Sequence, residues 1–224
     1  MDFNIKIIIL AIFVGVVAGI ILNKMISVFP KIIYGYEKID FGYFQVELVT
    51  LFITAFFMIC FPLNFNLYSV LIFVWMLIII SFIDIKIKLL PDIINYSLLW
   101  LGLLLNLNQI FVPIEHAVVG AIAGYLILWS LYWLFKIICH KEGLGYGDFK
   151  LMAAVSAWLG VGATPLLMFL SSLFGVIGGL WMWRIRGNYQ ESVAFGPCIA
   201  ISAIIMIYLN LQGVDGLSWM APNS

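Results

Sequence analysis

The chain has 224 residues, of which 65% are hydrophobic and 10% charged, and its mean hydropathy is +1.15. A soluble domain carries about 25% charged residues, so the composition excludes a water-compatible surface and predicts an all-α, polytopic transmembrane helical bundle. The formal net charge is zero, which offers no field for nucleic acid. The lipid bilayer is the expected surrounding partner, and a homo-oligomer is left open.

Apolar runs bounded by polar punctuation predict eight helices, near 5–23, 47–62, 67–84, 93–107, 114–138, 149–163, 165–183 and 193–211. The first lacks a basic n-region and a small-x-small cleavage site and is long enough to span, so it reads as a retained helix rather than a signal peptide. Pro62-Leu-Asn64-Phe-Asn66 forms a tight turn between the second and third. The fourth and sixth are short against the roughly 20 residues that a span needs. Gly160-Val-Gly162-Ala-Thr-Pro165 divides the sixth from the seventh only weakly, so six or seven spans is the alternative count. No repeat, low-complexity tract or linker interrupts the chain. The expectation is a single membrane-embedded domain over 1–224 with no separate soluble domain.

Orientation follows from Lys and Arg. With the N-terminus outside, Lys24, Lys31, Lys38, Lys86, Lys88, Lys136, Lys141, Lys150, Arg184 and Arg186 lie inside or at inner helix ends, and only Lys6 lies outside. Ten of eleven basic residues on one side is a strong positive-inside signal. Cys60, Cys139 and Cys198 are scattered without Cys-x-x-Cys spacing and read as small apolar residues. His116 and His140 stand alone, so no metal site and no cofactor is expected.

Two stretches stand apart from this apolar background. They are Ser81-Phe-Ile-Asp84-Ile-Lys-Ile-Lys-Leu-Leu-Pro91-Asp92 and Lys141-Glu-Gly-Leu-Gly145-Tyr-Gly147-Asp148-Phe-Lys150. Each sets an aspartate at the edge of a long apolar run, where an ionisable residue marks a functional site by default. The inferred topology puts both at the inner membrane edge. Peptide hydrolysis by carboxyl groups needs one ionised to activate water and one protonated to polarise the carbonyl. Two neighbouring carboxyls cannot both ionise cheaply, so a pair shares a proton. Asp148 opens the helix that begins at Phe149, where the dipole favours a negative charge, and Asp84 closes the third helix, where it does not. The expected roles are therefore Asp148 as base and Asp84 as acid. Gly143, Gly145 and Gly147 let the backbone take positive φ and approach an extended substrate. Plainer readings stand beside these. Asp148 also suits a helix N-cap, and Asp92 after Pro91 suits an ordinary helix start. Glu142 suits a solvated loop, and Glu47 and Glu115 suit dipole partners. Glu142 and Asp92 are kept as auxiliary candidates.

The same residues resemble a family. Gly-Tyr-Gly-Asp148, with Lys-Glu-Gly-Leu before it and Phe-Lys-Leu after it, resembles the Gly-x-Gly-Asp motif of type IV prepilin peptidases. Ile83-Asp84 with Leu-Pro-Asp92 resembles their first catalytic aspartate segment. Gly19-Ile-Ile-Leu-Asn23 with Phe29-Pro30, Phe44-Gln-Val-Glu47-Leu, Trp100-Leu-Gly102-Leu and Phe195-Gly196-Pro197 are similar to other helices of the family. The resemblance implies a bacterial inner-membrane aspartyl endopeptidase, with Asp84 and Asp148 as its catalytic pair. It would remove the leader from type IV prepilins or pseudopilins at the cytoplasmic face, for pilus biogenesis or type II secretion. Most bacterial members insert a cytoplasmic domain with paired Cys-x-x-Cys motifs between the first two helices, and many also N-methylate the product. Here that region is Lys24–Val46, without a cysteine. The expectation is a variant lacking the cysteine-rich domain, with no S-adenosylmethionine site to place. An archaeal-type preflagellin peptidase is the rival within the class. A transporter and a non-catalytic scaffold are the rivals outside it.

Overall fold

In a computed structural model, described for residues 2–35, 43–140, 145–186 and 194–212, the chain forms eight helices. They are α1 (Asp2–Tyr34), α2 (Tyr43–Cys60), α3 (Phe65–Ile87), α4 (Asp92–Asn106), α5 (Ile114–Cys139), α6 (Tyr146–Leu159), α7 (Thr164–Arg186) and α8 (Gly196–Leu211). All eight expected helices are present, and the fold is all-α. Four are long and apolar enough to cross a bilayer, within α1, α3, α5 and α7, and α2 and α8 supply shorter apolar helices. This is a multi-pass membrane protein. Contacts cluster into two compact units, Met1–Ile87 and Lys88–Ser224.

In the first unit, α1 continues well past the expected end at Asn23. Leu22, Ile26 and Pro30 are all buried, so the helical stripe that faces its neighbours persists after the apolar run has ended. Pro30 lies inside the helix and removes one backbone donor without stopping it. Close backbone contact joins α1 to α2. A Cβ on Gly15 would meet the Leu51 Cα at 3.0 Å, and one on Gly19 would meet the Glu47 Cα at 2.9 Å. These glycines are four apart, the small-xxx-small spacing by which membrane helices approach closely without a hydrophobic driving force. Asn23 Nδ2 donates to Glu47 Oε1 at 3.3 Å. No acidic residue falls in the first turn of α2, so Glu47 is a cross-helix partner there rather than a dipole partner.

In the second unit, α6 is the buried centre. Eleven of its 14 residues are buried, and it packs against α4, α5 and α8. At about 1.5 Å per residue it is shorter than the roughly 30 Å hydrocarbon core. Its surroundings are therefore mainly protein. α4 runs parallel to it. At one end the Asp92 carboxylate meets Lys150 Nζ at 2.7 Å. At the other, Asn106 Nδ2 donates to the Ala157 carbonyl at 2.9 Å while its Oδ1 accepts from the Phe111 and Val112 amides. Between them, Trp158 Nε1 donates to the Leu98 carbonyl at 2.8 Å. The indole lies against Gly102, where a Cβ would meet Trp158 Cδ1 at 2.4 Å.

α5 packs antiparallel on the other side of α6. A Cβ on Gly120 would meet the Ser156 carbonyl oxygen at 2.6 Å, and one on Gly124 would meet Ser156 Oγ at 2.7 Å. α6 ends at Gly160, with φ +80, a value that L side chains rarely adopt.

Gly102→Ala should therefore destabilise the second unit by about 1–3 kcal/mol through overpacking against Trp158. Gly178→Ala, with nothing within 4 Å of the added methyl, should be neutral or slightly stabilising. Thermal unfolding of the two variants in detergent checks the contrast.

Candidate active site

The two aspartates lie on different units, Asp84 on the first and Asp148 on the second. Asp84 sits in the last turn of α3, which ends at Ile87. Its carboxyl is buried, with 5% exposure. The C-terminal end of a helix disfavours negative charge, and Lys86 shares the turn. The helix runs three residues beyond the expected end at Asp84 and stops before Lys88, whose φ is +53.

Asp148 is 7% exposed and belongs to the first turn of α6. The helix opens earlier than expected, at Tyr146, with Gly145 as N-cap, so Asp148 is the N3 residue and not the N-cap. Its Oδ2 accepts the Gly145 amide at 3.0 Å, and its own amide donates to the Gly145 carbonyl at 3.1 Å. An acid at N3 that reaches back to the N-cap amide is half of a capping box. This fixes the carboxylate where the helix dipole favours its charge. Tyr146, two residues earlier in the same turn, is 54% exposed, so the turn that holds the buried acid reaches the surface.

The glycines act differently from the expectation. Gly145 is extended, with φ −84. Among the described residues only Gly35 and Gly160 are glycines with positive φ. Gly147 is needed for packing instead: a Cβ there would meet Leu90 Cβ at 2.7 Å. A Cβ on Gly145 would make only ordinary contact, 3.4 Å from Asp148 Oδ2. Gly143 and Glu142 lie outside the described residues.

Asp92 is the first residue of α4, after Pro91 as N-cap. Both of its carboxylate oxygens accept from Lys150 Nζ at 2.7 Å. Lys150 Nζ also lies 5.5 Å from the Tyr96 ring centroid. The side chains of Lys150 and Asp92 are 25% and 55% exposed, and a pair this open contributes at most about 1 kcal/mol to stability. Asn95, 1% exposed, places Nδ2 3.5 Å from the Gly147 carbonyl. Its Oδ1 is buried with no hydrogen-bond partner among the described residues, a cost of about 1–3 kcal/mol. Sequence reasoning found Asp92 but not Lys150, Asn95 or Leu90 as its companions. The available signal was the spacing Asp92, Asn95, Tyr96, which puts all three on one face of a helix.

The sequence profile of the Type IV leader peptidase family matches residues 71–180, a stretch that includes both Asp84 and Asp148. The chain is also 45% identical over 163 residues to the prepilin leader peptidase/N-methyltransferase of Aeromonas salmonicida (strain A449), covering 72% of this chain and 56% of that protein. The chain belongs to the type IV prepilin peptidase family. The protein of the same description from Dickeya chrysanthemi is 50% identical over 132 residues, or 58% of this chain and 47% of the relative. The one from Pseudomonas aeruginosa is 42% identical over 163 residues, or 72% and 56%. The chain thus spans about half the length of these curated relatives. No solved structure matches it.

The two motif glycines should separate on substitution. Gly147→Ala should cost about 1–3 kcal/mol by overpacking against Leu90, and Leu90→Ala in the same chain should recover part of that loss. Gly145→Ala should stay within about 0.5 kcal/mol. Unfolding midpoints in detergent give the comparison.

Proposed function

We propose that this protein is a membrane aspartyl endopeptidase, a single peptidase domain that cuts the N-terminal leader from type IV prepilins or pseudopilins. Its N-terminus would lie outside and its site at the cytoplasmic face of the bacterial inner membrane. The observation that carries this reading is Asp148. Its carboxylate is buried to 7% exposure in a Gly-Tyr-Gly-Asp turn, held by the Gly145 amide, inside the family-matched stretch that also contains Asp84. A transporter reading would favour acids near the bilayer midplane on broken helices. Asp84 and Asp148 instead stand in terminal turns of their helices.

In the proposed mechanism Asp148 is the base. As a water oxygen bonds to the scissile carbonyl carbon, the Asp148 carboxylate takes the water proton. Asp84, protonated, donates to the carbonyl oxygen. Collapse of the tetrahedral intermediate breaks the C–N bond, and the proton gained by Asp148 passes to the leaving amine. Asp84 recovers its proton as the carbonyl re-forms. The pair then begins the next cycle in its starting state. General acid and base contributions of this kind are worth about 10²–10⁴-fold each. The substrate's hydrophobic helix shares the bilayer with the enzyme, which leaves the short segment around the scissile bond to reach the exposed backbone at Gly145 and Tyr146.

Co-expression with a candidate prepilin, scored by the size shift of the pilin, tests the assignment. Asp84→Ala and Asp148→Ala should each lower cleavage by roughly 10²–10⁴-fold. Cleavage surviving both changes would end the aspartyl mechanism.

The relatives' names also include an N-methyltransferase. Here Lys24–Val46 contains no cysteine. We therefore assign cutting and not methylation to this chain. Mass spectrometry of the pilin processed by the purified protein with S-adenosylmethionine should show an unmodified N-terminal amine, and a product heavier by a methyl group would refute the assignment.

A further inference from the structure

We infer that Asp92 and Lys150 form a latch, supported by Tyr96 and Asn95, that positions the Asp148 turn. These are positioning residues rather than catalytic ones, and the inference rests on the reading of Asp148 given above.

Four observations converge on the first two turns of α6. Lys150 lies two residues after Asp148, and its ammonium is shared by both oxygens of Asp92 at 2.7 Å. The same ammonium stands 5.5 Å from the Tyr96 ring centroid, within the range of a cation–π contact. Asn95 Nδ2 faces the Gly147 carbonyl at 3.5 Å. Leu90 fills the space that a side chain at position 147 would occupy. Asp92, Asn95 and Tyr96 come from one face of α4, at i, i+3 and i+4. That face therefore grips α6 on both sides of Asp148, at Gly147 and at Lys150.

The ion pair is not what holds α4 against α6. Trp158, Gly102 and Asn106 join the two helices further along, with buried hydrogen bonds and the indole seated on Gly102. The pair sits where the buried contacts stop and the helices open to the surface, with Asp92 55% exposed and Lys150 25% exposed. Helix ends fray where backbone partners run out, and α6 begins only two residues before Asp148. A tie at this place restrains the end turn and leaves the rest of the helix to its own packing. It also gives Lys150 a counter-charge beside the Asp148 turn.

The test uses the full chain in detergent or vesicles and has two readouts. Hydrogen exchange followed by mass spectrometry on peptides covering 145–150 needs no substrate. Asp92→Asn and Lys150→Met should each speed exchange of that segment by about threefold to fivefold, with no change over 153–159. Cleavage kinetics on a prepilin peptide form the second readout. Each variant should lower kcat by roughly tenfold with KM within about twofold, as expected for a misplaced catalytic group. The double variant should be no worse than either single one, because the two residues act as one unit. Lys150→Arg, which can still engage both carboxylate oxygens, should restore most of the activity. Unchanged exchange at 145–150 would overturn the latch. So would faster exchange with normal kcat, or losses that add in the double variant. Absence of cleavage by the wild-type protein would count against the peptidase reading, and the exchange readout would still decide the latch.

Discussion

The second unit depends on how closely α4 and α5 can approach α6. Lipid tails are as apolar as leucine, so membrane helices gain little from burying apolar surface on each other and rely on packing and hydrogen bonds. Gly120 and Gly124 remove the side chains that would hold α5 off α6, and Gly102 makes room on α4 for the Trp158 indole. The approach lets Trp158 and Asn106 reach backbone carbonyls across the interface. α6 is thereby enclosed by protein along nearly its whole length, although it is only 14 residues long. A carboxylate at its first turn is consequently shielded on the inner side and still close to the surface on the other.

Helix polarity then distinguishes the two acids. Asp148, at N3 of α6, accepts the N-cap amide and lies at the positive end of its helix dipole. Asp84, in the last turn of α3, lies at the negative end of its helix dipole. The base-and-acid assignment depends on this contrast. The shift of Asp148 from the expected N-cap to N3 strengthens it, since an N3 carboxylate is held by the turn it helps to close. What the plainer reading treated as a cap is a side chain with both jobs: it closes the turn, and in the proposed mechanism it also takes the proton of water.

Much of this was legible in the sequence, for definite reasons. Eight apolar runs gave eight helices because punctuation by Pro, Gly and charge falls at real helix ends in most of them. It failed at α1, where Leu22, Ile26 and Pro30 keep a buried stripe going after the hydrophobic run stops. The two aspartates were visible because acids at the edges of apolar runs are rare. Their companions were not, because the Asp92–Lys150 pair links residues 58 apart. Only the packing of α4 on α6 brings them together. The glycines at 15 and 19, and at 120 and 124, carried a readable small-xxx-small signal for helix contacts. The positive φ expected of Gly145 and Gly147 is not used by either, and Gly147 serves close packing against Leu90.

The central claim is that two carboxyl groups direct water onto the leader peptide bond without a covalent intermediate. The chain also carries cysteines, two of them exposed, so a thioester route is a concrete rival. Cleavage of a prepilin peptide by the purified protein in ¹⁸O-labelled water containing hydroxylamine separates the two most directly. The account predicts one ¹⁸O atom in the new carboxylate of the leader fragment and no hydroxamate. A leader hydroxamate would show an acyl-enzyme captured by the added nucleophile, and would contradict it.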